Sequence, residues 1–249
     1  MAIKILATIG PASLNKKTIQ ELASNNVDLF RINLSHTKLN DLNSVIDKIK
    51  SWTDVPLCLD SEGAQVRNQN MESESVFLKL GTTVKIHHEQ VTGDSNNISF
   101  TPNTVSKQLK ISDRIRVDFN ALQLKVIEIC DSYLLATVEI EGSVGSNKAA
   151  DIDREISLDA ITHKDREAFK IGLRCGITNY SLSFTNTADD VRQIKSIIGS
   201  SCNLIPKIES IKGVLNLGEI LPLVDQILID RGDLSREVKI EKIPFIQRR

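Results

Sequence analysis

A change of rhythm, met twice along the chain, constrains this sequence most. Short apolar runs first alternate with segments whose apolar residues recur at helical spacing, the pattern of parallel strands joined by crossover helices. That texture stops near Asn68 and resumes after Asp153. Residues 3–9 read as a buried strand, with Ser13 as N-cap of a helix over 16–23. Residues 29–34 read as a second strand, and the helix behind it carries Leu39, Leu42, Val45, Ile46 and Ile49 on one face. Residues 56–60 make a third strand. After the interruption, Thr162 caps a helix through Leu173 that Gly176 stops. Strands follow at 179–184, 204–208 and 226–230, with Thr187 and Ser210 as N-caps of the helices between them. This gives six parallel strands.

Residues 69–153 have little helical periodicity. Runs of β-type residues at 83–87, 114–118, 122–129 and 133–140 are separated by polar turns. Phe119-Asn120-Ala121 and Cys130-Asp131-Ser132 suit hairpin connections, since Asn and Asp tolerate turn conformations. The expected organisation is one α/β domain, residues 1–68 and 154–249, interrupted by a small antiparallel β domain over 69–153.

Composition excludes some functions. With 41% hydrophobic and 25% charged residues over 249 positions, the chain is an ordinary globular one. A formal net charge of -1 gives no whole-molecule attraction to nucleic acid or an anionic membrane. No apolar run approaches a membrane span, and the first residues do not resemble a leader peptide, so a soluble, cytoplasmic protein is expected. Cys58, Cys130, Cys175 and Cys202 are widely spaced inside or beside apolar runs, so they read as small buried hydrophobes.

In parallel α/β folds, chemistry sits at the carboxyl ends of the strands, and polar residues gather there in this sequence. Lys207 and Glu209 are two apart and share one side of a strand; because an interior lysine is costly to desolvate, a solvated rim is expected for them. Glu209 and Asp233, from neighbouring strand ends, offer hard oxygens suited to Mg²⁺. Arg31 and Arg67 suit phosphate, whose oxygens a guanidinium matches two at a time. His36 alone is a weak signal, His87-His88 decorate the inserted domain, and Glu219 and Asp225 read as surface charges.

At these strand ends the sequence resembles the pyruvate kinase family. Residues 7–13, ATIGPAS, resemble its TIGPAS; 31–36, RINLSH, its RLNFSH; and 60–67, DSEGAQVR, its DTKGPEIR. Residues 142–148, GSVGSNK, resemble its GSLGSKK; 207–209 repeat its KIE; and 231–234 repeat its RGDL. The resemblance implies a TIM-like barrel interrupted by a β-barrel lid, and the glycolytic transfer of a phosphoryl group from phosphoenolpyruvate to ADP, giving pyruvate and ATP. By position, Lys207 would stabilise the transferring phosphoryl and the enolate. Glu209 and Asp233 would hold Mg²⁺ or Mn²⁺, and Asn33, Ser35, Asp60 and Ser61 would hold K⁺. Arg31 and Arg67 would hold the transferring phosphate, Lys148 would reach nucleotide phosphate, and Pro11 and His36 would lie near the nucleotide.

Departures accompany the likeness. Glu62, Ala64 and Gln65 replace Lys, Pro and Glu of the third motif; Asn186 and Thr187 replace a basic pair; Ser235 and Asn120 replace glycines. The family's TQMLES strand has no counterpart before Arg249. Setting aside about 85 residues for the insertion leaves about 165, which at roughly 30 per βα unit suits six units rather than eight. An incomplete TIM-like barrel is therefore expected, either as a fragment or as a homo-oligomer whose copies cover the open edges. Two other functions fit the same residues: a binding or assembly module with impaired catalysis, and a metal-enolate enzyme resembling an oxaloacetate decarboxylase.

Overall fold

The computed structural model describes residues 3–118 and 121–248. The chain forms two compact units, Met1–Ala64 with Asp159–Arg249, and Gln65–Leu158.

The first unit opens with β1 (Leu6–Ile9), α1 (Lys16–Ser24), β2 (Leu29–Asn33), α2 (Leu39–Trp52) and β3 (Leu57–Asp60). The second unit supplies β4 (Val66–Asn68), β5 (Val76–Leu78), β6 (Thr83–His87), β7 (Asn97–Thr101) and β8 (Arg114–Val117). It continues with β9 (Leu122–Ile129), β10 (Tyr133–Ile140), β11 (Gly142–Val144) and β12 (Ala149–Ile152). The chain then returns to the first unit through α3 (His163–Arg174), β13 (Asn179–Leu182), α4 (Ala188–Ile198) and β14 (Asn203–Ile208). It ends with α5 (Ile211–Leu215), α6 (Leu217–Ile220), β15 (Leu228–Ile229), α7 (Arg231–Leu234) and α8 (Ile243–Arg248).

Six strands of the first unit stand side by side in the order β1-β2-β3-β13-β14-β15, every pair parallel. These are the parallel strands that the alternating pattern implied, and they form the incomplete TIM-like barrel that the family resemblance implied. Side chains alternate across it. One set, including Phe30, Ile32, Leu59, Tyr180 and Leu182, joins the helix residues Ile19, Leu42, Ile46, Ile49, Phe169 and Ile194 in a single buried cluster. Each such side chain contributes about 1.5–3 kcal/mol on burial. Gly172 lets α3 approach the sheet closely: a Cβ there would stand 2.6 Å from Leu59 Cδ1. The other set, which includes Arg31, Asn33, Cys58, Asp60 and Ser181, is polar.

The second unit closes into a seven-stranded barrel, β10-β6-β7-β4-β12-β8-β9, lined by residues such as Val84, Ile86, Phe100, Leu124 and Leu134. It is mixed rather than wholly antiparallel, because β6 and β7 run parallel. β11 and β5 form a separate antiparallel pair.

Local chemistry accounts for the boundaries. Thr162 and Thr187 each form a reciprocal capping box, with Asp165 and Asp190 respectively, and Ser210 caps α5 by accepting from Gly213 N. Gly176 follows α3 with φ +69°. Several expectations need correction. Asn15, not Ser13, caps α1, its side chain accepting from Thr18 N; Ser13 Oγ folds back to accept from Gly10 N at 2.9 Å. β1 starts only at Leu6, where β2 first offers a partner in Leu29, and Ile3 and Ile5 are exposed. The strands after residues 179 and 226 are shorter than the apolar runs that signal them. Cys58 is buried, but Cys130, Cys175 and Cys202 are only half-buried. Cys130-Asp131-Ser132 does connect β9 to β10, with Cys130 N donating to Tyr133 O. Phe119 and Asn120 lie outside the described residues. Among the described residues no helix is long and apolar enough to cross a membrane.

Asp165 fastens the chain after β3 to the start of α3. It accepts from Glu62 N at 2.7 Å, Gly63 N at 3.1 Å and Thr162 N at 3.0 Å. Burial pushes its carboxyl pKa up, and these three N–H groups pull against that shift. Asp165→Ala strands three amides and is expected to cost about 2–4 kcal/mol in a urea titration. Gly63→Ala places a Cβ 2.4 Å from Ser183 O at a φ of +74° and is expected to cost at least about 2 kcal/mol. Wild-type stability for both variants would contradict this anchoring.

Candidate active site

Register decides which polar side chains meet. Asn33 pairs across β2 and β3 with Asp60, and Asp60 pairs across β3 and β13 with Ser181. Ser183 lies two residues beyond Ser181, on the same side, and Thr185 N donates to Lys207 O. This ladder brings side chains from β2, β13 and β14 onto one buried carboxylate of β3.

Asp60 is 1% exposed. Its Oδ2 lies 3.3 Å from both Arg31 Nη1 and Lys207 Nζ, and its Oδ1 accepts from Ser181 Oγ at 2.7 Å. Arg31 is further held by its Nε donating to Thr8 Oγ1 at 2.8 Å. Lys207 is 5% exposed and Glu209 2%, so the solvated rim expected from the cost of desolvation is not what forms. Pairing removes that cost instead: Lys207 Nζ donates to Ser183 Oγ at 3.0 Å and stands 2.9 Å from Glu209 Oε1. Burial favours a neutral amine at Lys207, but the Asp60 and Glu209 carboxylates outweigh it and hold its pKa above the ordinary value. Burial likewise pushes Glu209 up to about 7 against the pull of Lys207.

Glu209 Oε2 accepts from Phe184 N at 2.6 Å. Phe184 adopts φ +50°, a conformation that costs a bulky residue about 1–3 kcal/mol and that local structure must sustain. Glu209 Oε1 is buried and makes no hydrogen bond of ordinary geometry; its near neighbour is the Lys207 ammonium at 2.9 Å. One oxygen from each of Glu209, Asp230 and Asp233 lies within 4.8 Å of the others. A buried carboxylate oxygen beside two further carboxylates offers the all-oxygen donor set that suits a hard divalent cation.

The remaining residues of the sequence reading fall into separate places. Asn33 Oδ1 accepts from Ser35 N at 2.9 Å, and Ser61 Oγ accepts from Ser183 N at 2.9 Å. With Asp60 these four offer oxygen atoms only, the donor chemistry of a hard monovalent cation, although Asp60 is shared with two cationic side chains. Pro11 and His36 are exposed just after β1 and β2. Arg67 and Lys148 belong to the second unit, where Arg67 Nη1 donates to Asn147 O at 2.8 Å and Lys148 Nζ lies 3.2 Å from Asp118 Oδ2. Glu62, one of the departures, pairs with Lys164 at 2.8 Å.

A family model described as the pyruvate kinase barrel domain matches residues 1–249. The chain belongs to the pyruvate kinase family. The pyruvate kinase of Thermotoga maritima is 30% identical over 254 residues, covering 98% of this chain and 54% of that protein. That of Sporosarcina psychrophila is 29% identical over 257 residues, covering 98% of this chain and 44% of that protein. That of Methylorubrum extorquens is 29% identical, covering 99% of this chain and 53% of that protein. The chain spans about half the length of the curated relatives it matches.

Within this member of the pyruvate kinase family, the sequence reading missed Thr8, Ser181, Ser183 and Asp230 as neighbours of the charged residues. The spacing of Ser181 and Ser183 along one strand carried a signal; their proximity to Asp60 depends on register.

Two buried groups make stability depend on pH in the alkaline range. Burial raises the Cys58 thiol from 9.0 to about 12, so the unfolded chain releases that proton first and stability falls as pH rises from about 9 to 12, by up to about 1.4 kcal/mol per unit. Lys207, raised above 10.5, contributes stability that is present below that value and lost as pH climbs through its folded pKa. Urea midpoints are expected to fall between pH 8.5 and 11, less steeply in Cys58→Ala. Identical slopes in the two proteins would contradict the assignment to Cys58.

Proposed function

We propose that this chain carries the centre of a pyruvate-kinase-type phosphotransferase, which moves a phosphoryl group from phosphoenolpyruvate to ADP. The observation that supports it most is the buried Lys207 ammonium, fixed by Asp60, Ser183 and Glu209 beside the carboxylates of Asp230 and Asp233. In the reaction, the phosphorus–oxygen bond of phosphoenolpyruvate breaks and its electron pair stays on the enolate oxygen. A terminal oxygen of ADP forms the new bond, and the enolate carbon takes a proton to give pyruvate.

Lys207 acts as a point charge on the transferring phosphoryl and on the enolate oxygen, where negative charge develops. Its orientation is set before substrate arrives, because Ser183 and two carboxylates fix the ammonium. Glu209 and Asp233 would hold Mg²⁺ or Mn²⁺, which when bound neutralises phosphate charge. Arg31, braced by Thr8 and Asp60, presents a guanidinium to phosphate; the family resemblance gives Arg67 the same role. Lys148 would meet nucleotide phosphate, with Pro11 and His36 near the nucleotide. Asn33, Ser35, Asp60 and Ser61 would hold K⁺. Among the described residues β1 and β15 each pair on one side only, and self-association would cover those edges.

ADP-dependent pyruvate formation from phosphoenolpyruvate, measured with Mg²⁺ and K⁺, tests the proposal. The chain is expected to be active, and Lys207→Met to lower kcat by at least about 100-fold at a temperature where circular dichroism shows the variant folded. No activity in the wild-type chain, or full activity in the variant, would contradict it.

A further inference from the structure

Parallel pairing decides where Asp230 stands. Lys207 faces Leu228 and Ile208 faces Ile229 across β14 and β15. Asp230 N then donates to Ile208 O at 3.3 Å, so the register runs one residue past the strands and sets Asp230 beside Glu209. α7 begins at the next residue, and Asp233, three positions after Asp230, returns to the same side one turn later. The convergence of the three carboxylates follows from this register and this turn.

Like charges placed so close repel one another and need a counter-ion. Among the described residues, side-chain cations stand beside the outer members: Lys207 lies 2.9 Å from Glu209 Oε1 and Arg236 Nη1 lies 3.5 Å from Asp233 Oδ1. Asp230 Oδ1 accepts from Gly232 N at 3.1 Å and from Asp233 N at 3.4 Å, which caps α7. An ionised carboxylate has about four acceptor positions, so the cap leaves capacity for a cation. The second pointer is Glu209 Oε1, in a residue only 2% exposed: the Lys207 ammonium stands 2.9 Å away, and the oxygen makes no hydrogen bond of ordinary geometry.

We infer that Asp230 is a third carboxylate ligand of the divalent cation, joining Glu209 and Asp233 in one all-oxygen site. This rests on the metal role proposed above for those two residues. Mg²⁺ commonly takes one or two carboxylates and keeps several waters. A third carboxylate displaces a water, tightens binding before any substrate arrives, and moves the preference toward cations such as Mn²⁺ and Ca²⁺.

Binding of Mn²⁺ to the full chain, without substrate or nucleotide, tests the inference by electron paramagnetic resonance of free Mn²⁺ and by water-proton relaxation. Asp230→Asn preserves the cap acceptor while removing the charge; Asp230→Ser is a second cap-preserving variant. Both are expected to bind Mn²⁺ at least about tenfold more weakly, and the bound ion is expected to carry one more water than in wild type. Wild-type affinity and hydration in both variants, while Glu209→Gln and Asp233→Asn lose binding, would overturn the role of Asp230 and leave the two-carboxylate site standing. Absence of Mn²⁺ binding by the wild-type chain would overturn both.

Discussion

A lysine placed on the polar side of a parallel sheet must have its charge answered there, because an unpaired ammonium in that setting costs several kcal/mol. Asp60 and Glu209 provide the answer to Lys207, and Asp60 also answers Arg31. That arrangement couples β2, β3, β13 and β14 through side chains as well as through backbone hydrogen bonds. Removing one partner would leave an uncompensated charge, so the four strands must adopt a single register for the cluster to close. The same cluster is what an anionic substrate and a divalent cation would meet.

Alternation along the strands separates packing from chemistry. Phe30 and Ile32 go to the helices while Arg31 and Asn33 go to the polar side; Leu59 goes to the helices while Asp60 goes to Arg31 and Lys207. Each strand thus supports the fold with one half of its residues and supplies the site with the other. Helix starts contribute a second economy of design: Asp165 closes the cap of α3 and, with the same carboxylate, ties down the segment that follows Asp60. Phe184, held at positive φ, directs its N–H to Glu209, so backbone geometry and site electrostatics are settled at one turn.

Much of this was legible in the sequence. The six parallel strands, the β-rich insertion, the caps at Thr162, Thr187 and Ser210, and the convergence of Glu209 with Asp233 follow from periodicity, cap chemistry and strand-end position. What escaped depended on tertiary register. Lys207 and Glu209 have the expected spacing, but that spacing does not reveal Asp60 across two strands, and so a solvated rim was expected where a paired, buried cluster forms. Ser181 and Ser183 are ordinary strand residues until β13 is placed beside β3. Asp230 reads as a strand terminus until β15 is set against β14. Ser13 and Asn15 are both competent caps, and the fold-back of Ser13 onto Gly10 selects Asn15.

The central claim is that Lys207, Glu209 and Asp233 surround one ligand position. Anomalous diffraction at the manganese edge from crystals soaked in Mn²⁺ measures this directly. The account predicts a peak about 2.1 Å from a carboxylate oxygen of both Glu209 and Asp233, with the Lys207 ammonium adjacent. A Mn²⁺ peak elsewhere on the chain, with none between these carboxylates, would contradict it.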